Sequence, residues 1–300
     1  MNLKGFLIIV SILVVAAVAV LVFYGPYRWQ AETQKLRAKL RAGRSPTDTE
    51  IYNPEAIATL PDPVRRYFQT VLKDGQPIIT GVDIDHVGTF NFSETGEQWR
   101  PFRSTQRVVP RRPGFLWDAR ISMTPGLTVF VRDAYVAGRG ILRAKLFGFL
   151  TVMEQPETPE LDQGELMRFL AEAAWYPTAL LPSQGVRWEA IDDTTAAAEL
   201  TEGETTVRLI FEFGADGAIA SVRSEGRFRD VGGELVATPW VGRFWDYELR
   251  DGMMIPQRGE VAWLLSEGPQ PYWRGQIRRI EYEYSGFRSN EKRMIPLNPP

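Results

Sequence analysis

Residues 205–217, TTVRLIFEFGADG, decide the fold class of this chain. Apolar side chains occupy every second position from Val207 to Phe213, and Arg208 and Glu212 stand between them. This alternation is typical of an antiparallel strand that has one covered face. The Asp216-Gly217 pair precedes a second apolar run, and the sequence therefore predicts a hairpin turn at this point.

The same pattern extends over much of the chain. Period-two alternation recurs over residues 82–92 and 115–122, with glycine-rich turn signals between the runs. Helical spacing interrupts it at residues 62–74 and 159–175, and in the second helix Asp162 and Glu165 are a candidate capping box. Because strands lie on both sides of that second helix, we predict an α+β fold. It is mainly antiparallel β, with one or more curved sheets packed on a central helix.

The two strand-rich sections share a loose pattern. Gly88-Thr89-Phe90 in the first section corresponds to Gly226-Arg227-Phe228 in the second, and each is followed by a Trp-containing segment and another strand. The sequence thus suggests two similar sections, 78–157 and 186–288, joined by the helix at 159–175.

Residues 6–24, FLIIVSILVVAAVAVLVFY, are uncharged and apolar. As a helix rising about 1.5 Å per residue they reach about 28 Å, close to the hydrocarbon thickness of a bilayer. The alternative is a cleaved signal peptide, whose apolar region normally ends after about 7–15 residues at a small-residue site. Here bulky Tyr27, Arg28 and Trp29 follow. We therefore expect a retained, single-pass transmembrane anchor within residues 1–27.

Basic residues dominate the segment after the anchor. Residues 1–44 carry seven basic side chains and one acidic side chain, and residues 28–53 are predicted to form a basic juxtamembrane stalk and linker, helical over 29–42. The positive charges favour a cytoplasmic flank and a contact with anionic lipid. A very short N-terminus before a long globular part favours export instead. With the fold resemblance given below, we expect an extracytoplasmic soluble domain.

The rest of the chain is acidic. Residues 45–300 carry 28 basic and 36 acidic side chains, so a nucleic acid backbone would meet like charge, and we expect no nucleic acid partner. This length suits one β-rich domain over 54–288, followed by a tail at 289–300.

The sequence holds few groups for catalysis or metal binding. With no cysteine and one histidine, a zinc site would need several carboxylates, and no dinucleotide or phosphate loop is present. We expect no metal and no cofactor. His86 shares the parity of Ile84 and Phe90, which favours a packed core histidine over a catalytic base. The S-x-x-K run at 289–292 lies in the polar tail and is interpreted as coincidence.

Several sequence segments resemble a widespread bacterial family of uncharacterised, membrane-anchored proteins with a domain of unknown function. These segments are Pro113–Asp118, Val131–Val136, Trp175–Pro182, Val186–Asp193 and Thr238–Tyr247. The resemblance covers about residues 55–285 and implies no established activity. The run Phe244–Tyr247 with Asp251-Gly252 is also similar, in the spacing of its aromatic and turn residues, to the sequences of periplasmic lipoprotein-carrier half-barrels. Those wrap a curved antiparallel sheet round a helix and shelter acyl chains; a likeness of fold alone assigns no function.

Aromatic residues are abundant, with eight tryptophans beyond Trp29. They suit either the core of a wide sheet or the wall of a ligand pocket. The candidates for a pocket wall are Trp99, Trp117, Trp175, Tyr176 and Trp240. The polar candidates are Asp118, Arg132, Asp133, Arg243 and Asp246, whose alternative role is to form salt bridges that hold strands in register.

Three functions stay open at this point. The leading hypothesis is a membrane-tethered binding module for a hydrophobic or amphipathic ligand such as a lipid, with no catalytic residues. The second is a hydrolase or transferase that uses a pair of carboxylates as general acid and base. The third is a structural or assembly component of the cell envelope.

Overall fold

The computed structural model describes residues 3–19, 23–42, 50–93 and 96–284. In this part of the chain the helices are α1 (Leu3–Ala19), α2 (Gly25–Ala42), α3 (Asp62–Val71) and α4 (Pro159–Ala171), with short 3-10 turns at Pro54–Ile57, Glu172–Trp175, Pro177–Leu180 and Pro182–Gln184. The strands described are β1 (Ile79–Asn91), β2 (Trp99–Val109), β3 (Gly114–Thr124), β4 (Leu127–Val136), β5 (Arg139–Leu146), β6 (Leu150–Glu154), β7 (Arg187–Ala190), β8 (Thr195–Glu202), β9 (Thr205–Phe213), β10 (Ile219–Val231), β11 (Glu234–Arg250), β12 (Met253–Leu265) and β13 (Gly268–Tyr284).

All of these strands belong to one sheet, in the order β6-β5-β4-β3-β2-β1-β13-β12-β11-β10-β9-β8-β7. Every pairing is antiparallel, and neighbours in the sheet are neighbours in the sequence except at the centre, where β1 pairs with β13. α4 contacts β3, β4 and β5 in one half and β9 and β10 in the other. Because these strands lie far apart in the sheet order, the sheet curls around the helix. The predicted antiparallel, curved sheet on a central helix is confirmed.

The hairpin turn predicted at Asp216-Gly217 joins β9 and β10. Gly217 has φ +80°, a conformation that glycine adopts without steric cost. The side chain of Asp216 accepts the N–H of Ala218 at 3.0 Å, which fixes the turn. The alternating apolar residues from Val207 to Phe213 are buried, as the pattern predicts.

α4 begins as the Thr158-Pro159 pair predicts. The Thr158 side chain accepts the N–H of Leu161, and a proline occupies the first turn. The proposed capping box of Asp162 with Glu165 is wrong, because Asp162 accepts the N–H of Gly140 at 2.6 Å and Glu165 lies inside the curled sheet. The side chain of Asp162 therefore ties the helix to β5.

The segment predicted as a stalk packs on the domain itself. α2 lies against the outer face of β2, β3 and β4. Trp29 is 1% exposed, and Leu40 packs with Val109, Leu116 and Val136. Trp29 and Leu40, with Thr33 and Leu36 between them, recur at three- and four-residue intervals and form one buried stripe of the helix. The helix is basic on its other faces, which is why its charge suggested a free stalk.

Polar contacts fix α2 in place. The indole N–H of Trp29 donates to Asp118 at 2.8 Å. Arg132, which is fully buried, donates to the Trp29 carbonyl and to the Thr33 hydroxyl, both at 2.8 Å, and pairs with Glu32 at 3.2 Å. Burial lowers the pKa of Arg132, whereas Glu32 and Asp118 act in the opposite direction. The outer face thus carries a second, partly charged core.

α1 does not bear out the predicted anchor in full. It has 17 residues, so it reaches about 25 Å at the helical rise per residue, and most of its apolar side chains are exposed. Among the described residues no helix combines the length and the apolar character needed to cross a membrane. The predicted transmembrane helix over residues 6–24 is therefore not supported; residues 20–22 lie outside the described part, as do linker residues 43–49 and the tail.

Candidate ligand cavity

A cavity of about 640 Å³ lies on the concave side of the sheet, between the strands and α4. This volume falls in the range of small-molecule sites, about 300–1,000 Å³. Strand register places the cavity toward one end of the sheet, because the wall residues Ile121 and Val129 pair across β3 and β4 near their turn, and Trp263 and Gln270 pair across β12 and β13 near theirs. We call this end, formed by the β3–β4, β5–β6, β10–β11 and β12–β13 turns and by the end of β1 up to residue 93, the cavity rim.

The wall of the cavity is mainly aromatic and aliphatic. Its large apolar side chains are Phe90, Trp117, Ile121, Val129, Val131, Leu142, Met153, Trp175, Trp240, Phe244, Val261, Trp263, Tyr272 and Trp273. Trp263 and Tyr272 stack at 5.6 Å between ring centroids, and the indole N–H of Trp240 donates to the Tyr272 hydroxyl at 2.9 Å. These contacts hold a rigid aromatic surface on β11, β12 and β13.

A cluster of charged side chains from α4 and the sheet lies at the helix side of the cavity. Arg168 donates to Glu172 at 2.7 Å and to Asp133, and Gln106 donates to the other Glu172 oxygen at 2.6 Å. Burial alone would lower the pKa of Arg168, but Glu172 and Asp133 raise it above its ordinary value. Arg168 therefore stays a cation that bridges the helix to β4.

Glu165 stands beside this cluster in a different state. It is 2% exposed, and burial followed by the neighbouring Asp133 raises its pKa well above the ordinary value of a glutamate. Two acceptor atoms, Glu165 Oε2 and Asp133 Oδ1, have no donor among the described groups. If Glu165 keeps its proton and donates it in a hydrogen bond to Asp133, both atoms have a partner. We therefore infer that Glu165 is a neutral acid at pH 7.

His86 lies behind the cavity wall. Its ring is 2% exposed and packs at 5.0 Å from Trp175 and 6.0 Å from Trp273. Burial, with a smaller effect from Arg168, lowers the pKa of His86 to about 3. The ring is therefore neutral at physiological pH.

The match to protein families covers most of the chain. Residues 58–282 match a family of unknown function, DUF6920. The chain belongs to this family. The predicted membership of a family of unknown function is thus confirmed. No protein with a curated description matches the DUF6920 chain.

Solved structures of two bacterial proteins are similar to the DUF6920 chain at low sequence identity. The DUF6920 chain is similar to a LolA superfamily protein from Nitrosomonas europaea, at 12% identity and a TM-score of 0.36, over 84% of this chain and 93% of that one. It is also similar to a beta-barrel-like protein of the domain of unknown function DUF1849 from Brucella abortus, at 11% identity and a TM-score of 0.22, over 69% and 99% of the two chains. The expected likeness to half-barrel proteins concerns fold and not function.

The five aromatic candidates fall into two groups. Trp117, Trp175 and Trp240 line the cavity of the DUF6920 chain. Trp99 lies at the start of β2, where the guanidinium of Arg274 covers its ring at 4.3 Å. Tyr176 is fully buried, and its hydroxyl donates to the carbonyl of Phe169 at 2.7 Å.

The five polar candidates are dispersed. Asp133 and Arg243 border the cavity, whereas Asp118 and Arg132 lie on the opposite face under α2. Asp246 is half exposed on β11. Asp118 pairs with Arg120, Asp133 with Arg168 and Asp246 with Arg258. The arrangement does not bring these three carboxylates together as a catalytic acid and base, and no group of three metal-binding side chains occurs in the described ranges.

Three cavity arginines, Arg168, Arg227 and Arg229, were missing from the candidates. Arg168, Glu165 and Glu172 occur at three- to four-residue intervals on α4, a signal for one helix face. Arg227 and Arg229 share a parity on β10 and stand over Trp240 and Trp263. Their spacing was visible in the sequence, but the face that each group occupies depends on the curl of the sheet.

Proposed function

We propose that this chain binds a hydrophobic or amphipathic molecule in the cavity on the concave side of its sheet. The observation that carries the proposal is a cavity of about 640 Å³ with a mainly apolar wall and a small number of charged side chains. Ligand sites combine these features, because an apolar wall supplies affinity and a few polar groups orient the ligand.

We further propose that α1 and the basic helix α2 hold this module at a membrane, with the β domain on the extracytoplasmic side. Exposed apolar side chains cluster at the cavity rim and beside it: Phe92, Leu150, Val152, Leu235 and Val236. The start of α2 at Gly25 lies against the turn at Phe147 and Gly148, on the same rim. α1, whose apolar side chains are exposed, precedes this point of the chain. This placement supports entry of a ligand from a bilayer.

Filling the cavity should remove the ligand. Val131 points into the cavity from β4, so we expect Val131→Trp to lower the amount of co-purified acyl species at least about tenfold, since the indole occupies the ligand's space. Native mass spectrometry of the full chain, released from detergent, measures this ratio. Leu249→Trp, at a position 66% exposed outside the cavity, is the matched control and should keep the ligand.

Val261→Trp on β12 repeats the test from the opposite wall, and circular dichroism checks that both variants are folded. If both folded variants retain the wild-type amount of ligand, or if the wild type carries none and takes up none, the binding proposal fails.

Removal of α1 tests the membrane proposal. We expect deletion of residues 3–19 to move the protein from the membrane fraction to the supernatant, because the deleted segment carries, among its described side chains, ten large apolar ones that are exposed. Immunoblotting of fractionated cells measures the shift, and protease added to spheroplasts should degrade the β domain of the full chain. An unchanged distribution contradicts the tether, and protection from protease contradicts the extracytoplasmic side.

A further inference from the structure

The charges inside the cavity are unequally paired. Arg168 has two carboxylate partners, Asp133 and Glu172. Arg227 has one, Glu165, and the distance between Arg227 Nη2 and Glu165 Oε1 is 3.5 Å. No other carboxylate in the described part of the chain lies within 4.0 Å of the Arg227 guanidinium. Its second contact, to the Tyr272 hydroxyl, is also long at 3.4 Å.

The single partner of Arg227 does not neutralise it. Burial and the neighbouring Asp133 favour the protonated, neutral form of Glu165, which donates a hydrogen bond to Asp133. An arginine is always protonated in a protein, so Arg227 keeps a full positive charge. Its side chain is 11% exposed, so most of the charged group is removed from water. No full negative charge offsets the cost of this burial.

Arg229 brings a second cation to the same place. It follows Arg227 by two residues on β10, and its Nε donates to the Thr238 hydroxyl at 3.2 Å. Within the described residues it has no carboxylate within 4.0 Å. The Arg227 guanidinium lies 5.4 Å from the Trp240 ring, and the Arg229 guanidinium lies 5.8 Å from the Trp263 ring. Trp240 on β11 and Trp263 on β12 are directly opposite each other in the sheet.

The acidic groups around the cavity do not cancel these charges. Asp230 accepts the N–H of Gly233 at 2.8 Å and is exposed. Glu260 pairs with Arg243 and Arg274. Glu160, at the start of α4, also borders the cavity but forms no ion pair with Arg227 or Arg229. Within the described residues, Glu165 is therefore the one carboxylate within 4.0 Å of this arginine pair, which lies next to the aromatic wall.

We propose that Arg227 and Arg229 bind the anionic headgroup, a carboxylate or a phosphate, of an amphiphile whose apolar chain lies along the aromatic wall. Guanidinium groups bind both anions through paired, charge-assisted hydrogen bonds. A neutral amphiphile of the same length leaves both cations unpaired. This inference rests on the proposed function and adds the chemical class of the ligand.

The test compares two probes that differ only in charge: brominated palmitic acid and its methyl ester. Bromine quenches tryptophan fluorescence, and Trp240 and Trp263 lie in the cavity wall. In the full chain we expect the acid to bind at least about tenfold more tightly than the ester, because hydrogen bonds between charged groups are involved. Arg227→Gln should remove this preference by weakening binding of the acid and leaving that of the ester unchanged.

Arg223→Gln is the matched control, because Arg223 lies on the same strand, is exposed and pairs with Glu225 outside the cavity. Arg229→Gln is the second variant and should reduce the preference as well. Equal binding of acid and ester by the wild type overturns the headgroup site while the binding module stands. Binding of neither probe overturns the proposed function itself. Inorganic phosphate that displaces the acid at equal concentration identifies a site for small anions and overturns the amphiphile.

Discussion

Replacement of Trp29 by alanine should lower the free energy of unfolding by about 3–5 kcal/mol, the usual cost of truncating a buried tryptophan. The side chain is 1% exposed, and its ring centroid lies 4.0 Å from Cζ of Arg132. Its indole N–H donates a hydrogen bond to Asp118. Its loss leaves the buried carboxylate of Asp118 with one donor fewer. Urea denaturation of the full chain, followed by circular dichroism, measures the change.

Tyr27→Ala is the control for this prediction. Tyr27 lies two residues earlier on α2 and is 73% exposed, so its removal should change stability by less than about 0.5 kcal/mol. Lys35 is exposed on α2, and release of the helix should speed trypsin cleavage after Lys35 in the Trp29 variant and not in the control, because a helix without its packing unfolds more readily. Similar stabilities and similar digestion rates for both variants would show that α2 does not pack on the sheet.

Glu165→Gln should remove one pH-dependent contribution to stability. The folded protein raises the pKa of Glu165 above its unfolded value of 4.5. The protonated acid therefore contributes stability that is fully present below pH 4.5 and is lost as the pH rises toward the folded pKa. Glutamine cannot ionise. Relative to the variant, the wild type should lose stability as the pH rises above 4.5, by up to about 1.4 kcal/mol per pH unit.

Urea denaturation at several pH values gives the difference between the two proteins. Glu157→Gln, at an exposed position just before α4, is the control and should show no such slope. A flat difference for Glu165→Gln over this range would show that Glu165 is ionised, and Arg227 would then have a true countercharge in the cavity.

The strands and the central helix were predictable because each has one covered face. The alternation around Phe211 and the apolar stripe of α4 each identify a buried side without knowledge of the partner. Strand order was not predictable, because pairing of β1 with β13 depends on contacts between residues about 190 positions apart, such as Phe90 and Trp273. The domain boundaries and the similarity of the two sections stay predictions.

The candidate site was predicted only in part, for a physical reason. Tryptophans at inward strand positions reach the cavity, and their parity was visible in the sequence. Asp118 and Arg132 occupy outward positions, which normally face water or a site, but α2 covers them. Charged residues on α4 would normally predict a solvated helix face. Here the sheet curls round the helix and encloses Arg168 and Glu165.

The pairing of the first strand with the last one has a consequence for synthesis on the ribosome. β1 and β13 lie side by side at the middle of the sheet, and buried Arg107 links Asp83 of one to Glu283 of the other. The six strands made first therefore keep an open edge until residue 284 emerges. During translation the unpaired edge of β1 exposes backbone hydrogen-bonding groups, which promote non-native pairing.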